Sequence, residues 1–151
     1  NANQTVSPYR LKAIDENSAA VRSSRLAYDM AGVTAQDIDA CEFYDCFTYT
    51  VEATLRDYGF FKPENVREFI TREKIGPGGD LPVNTSGGML SEGYFMGLTP
   101  VSEAVMQLRG ECGERQLGVY PGTKKPELIM CSDNGAVFQS NSALILERGD
   151  F

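Results

Sequence analysis

The segment Asn84-Thr-Ser-Gly-Gly-Met-Leu-Ser-Glu-Gly-Tyr-Phe-Met-Gly-Leu98 carries four glycines in fifteen residues, with a polar aromatic, Tyr94, in its middle. Glycine at that density lets the backbone adopt left-handed conformations and approach a ligand or another strand closely. A glycine-rich turn that feeds a helix also presents N–H donors to an oxyanion or a carbonyl oxygen. The chain contains no histidine. Proton transfer at such a site therefore falls to tyrosine, cysteine, lysine or a carboxylate.

The elements that must position this segment follow from spacing. Ser18 is a cap for a helix over residues 19–31, with Ala20, Ala27, Met30 and Ala31 on one face and Gly32 as its stop. Thr34-Ala-Gln-Asp37 reads as a short capped turn, and residues 38–44 alternate as a strand. Phe47, Val51, Leu55 and Tyr58 form a helical stripe ended by Gly59, and Pro63 opens a short helix reaching Glu73. Residues 75–82 are a loop by their glycines and prolines. After the glycine segment, Val101, Ala104, Val105 and Leu108 predict a helix. Residues 127–131 read as a buried strand, Asn134-Gly135 as a turn and residues 142–147 as a final strand. Helices alternating with strands predict an α/β domain, a layered mixed sheet with helices packed on it, over residues 1–151.

Composition excludes several classes. A net charge of −7 and a pI near 4.6 leave no basic face to displace counterions, so no nucleic-acid partner is expected. No apolar run approaches the roughly 18–20 residues that span a bilayer, so no membrane association is expected either. Residues 1–8 are polar and lack the basic and apolar regions of a signal peptide, and the cysteines read as the reduced thiols of a cytoplasmic protein. The missing initiator Met reads as a fragment or a processed product. Cys41, Cys46, Cys112 and Cys131 form no C-x-x-C pair, so reduced thiols are expected and a metal site is not.

At Tyr44-Asp-Cys-Phe47, the glycine segment, Gln107-Leu-Arg-Gly110 and Cys131-Ser-Asp-Asn-Gly135, the chain resembles the C-terminal half of the thiolase superfamily. The branch it resembles is that of the thiolase-like lipid-transfer proteins and steroid side-chain aldolases. In thiolases an Asn-Glu-Ala-Phe motif stands where this chain has Tyr44-Asp-Cys-Phe47. Gly93-Tyr-Phe-Met-Gly97 stands where thiolases place their active-site His. The resemblance implies that Tyr44 and Tyr94 are the catalytic pair, as in aldolases of this branch. It also implies a β-hydroxyacyl-CoA substrate with coenzyme A as part of it and no bound cofactor. A small OB-fold partner protein and a homodimer in the full-length form belong to the same expectation. The first half of the family's proteins, which carries the nucleophilic cysteine, has no counterpart here.

Retro-aldol cleavage needs a base for the β-hydroxyl and a device that stabilises the enolate. One tyrosine can take the proton and the other can donate to the thioester oxygen, with Gly87, Gly88, Asn134 and Gly135 as candidate oxyanion or substrate-binding residues. A phenol starts near pKa 10, so a basic tyrosine needs a nearby donor or cation. Cys131, Asp45 and Glu92 are further candidates. Bland roles stand beside these: Asp45 as a helix N-cap, Cys131 and Cys46 as small buried groups, Glu92 as a solvated carboxylate. Lys124-Lys125 reads as a solvated pair or a contact to a CoA phosphate, and Tyr28, Tyr49, Tyr58 and Tyr120 as structural. Two rival functions share this frame: acetyl-CoA acetyltransferase or thiolase-type Claisen transfer using a cysteine in the absent half, and a non-catalytic lipid-handling or interaction module.

Overall fold

The computed structural model describes residues 2–3, 18–135 and 140–149. Four strands form one mixed sheet in the order β1-β4-β3-β2: β1 (Ala2–Asn3), β2 (Ala40–Phe43), β3 (Leu128–Gly135) and β4 (Ser140–Glu147). β2 runs parallel to β3, from Ala40 opposite Ile129 to Phe43 opposite Ser132. β3 pairs antiparallel with β4, and β4 with β1. All four residues of β2 are buried, as expected of a parallel strand covered on both faces.

Two cores separate across the sheet. Cys41, Phe43 and Met130 face α1 (Ala19–Ala31) and α2 (Thr48–Asp57), where they pack with Ala20, Leu55 and Tyr58. Ala40, Ile129 and Cys131 face α5 (Leu98–Arg109) and meet Ala104 and Leu108. Strand alternation thus sorts neighbouring residues into two layers. The one-turn helices α3 (Val66–Phe69) and α4 (Arg72–Ile75) close the α2 side.

The α/β class and the layered mixed sheet stand as expected. Several local boundaries differ, for physical reasons. α1 has the predicted Ser18 cap, whose Oγ accepts from the Val21 N–H at 3.0 Å, and the left-handed Gly32 stop. Its inward face, however, is Ala20, Ser23 and Ser24, while Met30 is exposed. The small serines satisfy their hydroxyls on the Ala20 and Val21 carbonyls, which lets them sit in a core. Phe47 is the N-cap of α2 and stands exposed instead of joining its stripe. The helix expected from Pro63 breaks at Thr71, which is extended. β3 does not end at Cys131 but carries Ser132 to Gly135 into the ladder with β4. Asn134-Gly135, expected as a turn, is therefore strand; residues 136–139 and the lead-in over residues 4–17 lie outside the described residues.

Candidate active site

Tyr44 leaves the end of β2 with its N–H still donating to the Ser132 carbonyl at 3.1 Å, so it continues the strand alternation. Cys41 and Phe43 point toward α1 and α2; Glu42 and Tyr44 therefore point to the α5 side. The glycine segment reaches the same place along the free edge of β2. Cys41 N–H donates to the Pro82 carbonyl at 2.9 Å, Asn84 N–H donates to the Cys41 carbonyl at 2.8 Å, and the Asn84 Oδ1 accepts from Phe43 N–H at 2.7 Å. Asn84 adopts a left-handed φ of 53°, a conformation its short polar side chain tolerates.

Beyond Asn84 the turn is locked by Asp45, which is buried. Its Oδ1 accepts from Met89 N–H at 2.9 Å and its Oδ2 from Leu90 N–H at 3.4 Å. A Cβ on Gly88 (φ +72°) would lie 2.1 Å from Asp45 Oδ2, so only glycine fits there. Asp45 thus caps the glycine turn rather than helix α2, whose N-cap is Phe47. A Cβ on Gly97 would lie 2.5 Å from Asp133 Cγ, which seats the far end of the segment on β3.

These contacts bring the two phenols together. Tyr44 and Tyr94 hydroxyls are 2.9 Å apart, with ring centroids at 6.3 Å and planes at 79°. Tyr94 is 61 % exposed and Tyr44 half-buried, so the pair is open to solvent. The hydrogen bond to Tyr94 pushes the Tyr44 phenol above its ordinary pKa of 10. Burial acts in the same sense, as do the electrostatic influences of Tyr94, Cys46 and Asp133. Tyr44 is thus the proton-holding member, opposite in sense to a phenol tuned as a base.

The other predicted residues fall in different places. Gly87 N–H donates to the Asn84 carbonyl at 2.8 Å and Gly88 N–H to Ser86 Oγ at 3.2 Å. Both donors expected to face a ligand are therefore paired inside the turn. Asn134 follows Asp133 along β3, so its side chain lies on the opposite face of the sheet from the phenols. There its Oδ1 accepts from Asn141 Nδ2 at 2.6 Å, in a buried cluster with Ser23 and Tyr58. Gly135 pairs with Ser140 at the end of β3. Cys131 is buried against α5, and burial pushes its thiol well above its usual range, with Glu42 adding to the rise. Glu92 is exposed, six residues ahead of α5. Lys124 pairs with Asp39 at 2.5 Å.

A buried polar cluster escaped the sequence reading. Glu42 and Glu103 both approach Thr85, and Gln107 and Arg115 complete the group. Two signals were available: a charged residue inside the apolar run Ala40-Cys-Glu-Phe43, and Glu103/Gln107 at i, i+4 beside the buried Ala104 and Leu108. On the other side of the glycine turn a cleft of about 550 Å³ opens between α2 and α4, lined by Asp45, Tyr49, Val51, Ile70, Ile75 and Leu90.

The chain belongs to the family described as "Thiolase C-terminal domain-like", which it matches over residues 3–148. It is 38 % identical over 123 residues to an acetyl-CoA acetyltransferase of Methanothermobacter thermautotrophicus, covering 77 % of this chain and 31 % of that protein. It is 39 % identical over 83 residues to a steroid side-chain-cleaving aldolase of Thermomonospora curvata, covering 55 % and 21 %. Among solved structures it resembles the "Ltp2-ChsH2(DUF35) aldolase" with a TM-score of 0.78 and 25 % identity, over 98 % of this chain and 38 % of that one. The chain thus spans about a third or less of the length of these curated relatives. Among the described residues no helix is long and apolar enough to cross a membrane.

Proposed function

We propose that this chain is the C-terminal domain of a thiolase-like aldolase that cleaves a β-hydroxyacyl-CoA thioester. The observation that carries the reading is the 2.9 Å contact between two accessible phenols in a chain without histidine. Tyr94, the more exposed phenol, takes the β-hydroxyl proton. The electrons of that O–H bond form the new carbonyl as the Cα–Cβ bond breaks, and the pair from that bond becomes the enolate of the acyl-CoA. Tyr44 keeps its proton and donates it in a hydrogen bond to the Tyr94 oxygen, which holds Tyr94 as the phenolate that accepts the β-hydroxyl proton and becomes a phenol. The proton that Tyr94 has taken passes to Cα of the enolate, which releases the shortened thioester and restores the phenolate. Coenzyme A enters only as part of the substrate. A small OB-fold partner and a homodimer of the full-length protein belong to the same proposal.

The test is the full-length protein with a candidate partner, assayed for β-hydroxyacyl-CoA cleavage. Tyr94→Phe is expected to lower kcat by about 10²–10⁴, the usual worth of positioned acid–base groups, with unfolding unchanged. Wild-type turnover in that variant would sink the assignment. The extent of the match to an acetyl-CoA acetyltransferase favours a second reading, Claisen acyl transfer on the same frame. A cysteine in the nucleophile slot of the absent half, alkylated with loss of activity, would select it.

A further inference from the structure

The Thr85 hydroxyl lies between two carboxyl groups. Its oxygen is 2.7 Å from Glu42 Oε1 and 2.8 Å from Glu103 Oε1, while Gln107 Nε2 donates to it at 3.0 Å. A hydroxyl has one proton to give and two lone pairs to fill. If both glutamates were ionised, Thr85 could donate to only one, and the other would press a lone pair against a lone pair beside the buried Glu42. Protonating one glutamate makes the count close. That acid donates to Thr85, Gln107 donates to Thr85, and Thr85 donates to the remaining carboxylate.

The partners say which glutamate is neutral. Glu103 receives the Arg115 guanidinium on both oxygens, at 3.0 Å from Nε and 2.9 Å from the terminal nitrogen, while Gln107 Nε2, 3.1 Å from Glu103, has its two protons for Thr85 and the Arg115 carbonyl, each at 3.0 Å. Glu42 is 1 % exposed and, among the described residues, meets only Thr85, whose N–H donates to Oε1 at 3.1 Å and whose hydroxyl lies 2.7 Å away. The groups that bear on Glu42 offer no cation in direct contact. They are Cys41 on its own strand, Cys131 on β3, Glu103 on α5, Cys112 and the Glu103-bound Arg115 after α5, and Glu92 in the glycine segment.

We infer that Glu42 is a positioning residue that keeps its proton in the folded protein and, as the neutral acid bridged to Glu103 by Thr85, seats the start of the glycine turn between β2 and α5. Burial raises the Glu42 carboxyl to about 8, against opposition from the two Thr85 hydrogen bonds and with help from the Glu103 and Glu92 charges. Between the ordinary glutamate value of 4.5 and about 8 the native state holds a proton that the unfolded chain has released. Stability therefore falls as pH rises through that window and levels off above it. The inference concerns the seat of the turn and does not depend on the reaction that the phenols perform.

The experiment compares the full-length protein with Glu42→Gln and Glu42→Ala. A wild-type minus Glu42→Gln infrared difference at pH 6 is expected to show the C=O stretch of a protonated carboxyl, bleaching near pH 8. Glu42→Gln is permanently neutral, so its melting temperature should lack the wild-type decline between pH 4.5 and 8. Hydrogen exchange in the 84–88 peptide should quicken about tenfold in Glu42→Ala at pH 6 and stay near wild type in Glu42→Gln, the loss of about one buried hydrogen bond. If Glu42→Ala does not fold, Thr85→Val gives the same exchange readout. No carboxyl band at pH 6, parallel melting curves, or equal exchange in the alanine and glutamine variants would each overturn the inference.

Discussion

Tyr44 and Tyr94 share one hydrogen bond but not one environment. Tyr44 is anchored by its backbone to Ser132 and faces Asp133, so both position and charge favour its keeping a proton. Tyr94 stands further into solvent on a turn. Removing the Tyr44 hydroxyl deprives an ionised Tyr94 of its donor, an interaction of about 1.5–3 kcal/mol for a charged acceptor. In Tyr44→Phe kcat at fixed pH should therefore fall about 10- to 100-fold, since about 1.4 kcal/mol corresponds to a factor of ten. Steady-state kinetics of the full-length variant check this, and an unchanged kcat would remove Tyr44 from the mechanism. Tyr94 could be singled out from sequence because it sits among glycines with no apolar stripe to join. Tyr44 stands in an otherwise ordinary strand end, and only the family resemblance drew it out.

The glycine turn is held as one element by three side chains that come from elsewhere or reach elsewhere: Asn84 onto Phe43, Glu42 onto Thr85, and Asp45 onto Met89. Gly88→Ala tests this seat without touching a phenol. Its Cβ would displace the Asp45 carboxylate and force a side chain into a left-handed conformation costing roughly 1–2 kcal/mol. With the lost charged hydrogen bond, worth about 1.5–3 kcal/mol, a destabilisation of about 2.5–5 kcal/mol is expected, read by denaturant unfolding. A variant within 0.5 kcal/mol of wild type would show that the turn seats itself. The sequence reading correctly placed flexible glycines here. It also expected the Gly87 and Gly88 donors to face a ligand, because it could not see that two adjacent left-handed residues fold the turn onto its own oxygens.

At the scale of the molecule the phenols stand on an open face. Tyr94, Phe95, Met96 and Leu98 are all more than half exposed, as are Phe47 and Leu90. Enolate chemistry needs a site that excludes water and walls that hold the substrate, and this face supplies neither by itself. The purified 151-residue chain should therefore show no turnover of a β-hydroxyacyl-CoA, while the full-length protein does. Turnover by the chain alone, followed by thioester consumption, would refute this.

Periodicity and breakers determined the α/β class, the caps of α1, the helix α5 and the location of the glycine segment, because these depend on neighbours within a few residues. The distances that matter join residues about 40 to 60 positions apart: Tyr44 to Tyr94, Asp45 to Met89, Glu42 through Thr85 to Glu103. Which face of β3 takes Asp133 and which takes Asn134 was likewise set only when β3 paired with β2 and β4 in one register. A side chain's proton and its partner are properties of the space it is folded into, and that space is built by segments the local pattern cannot see.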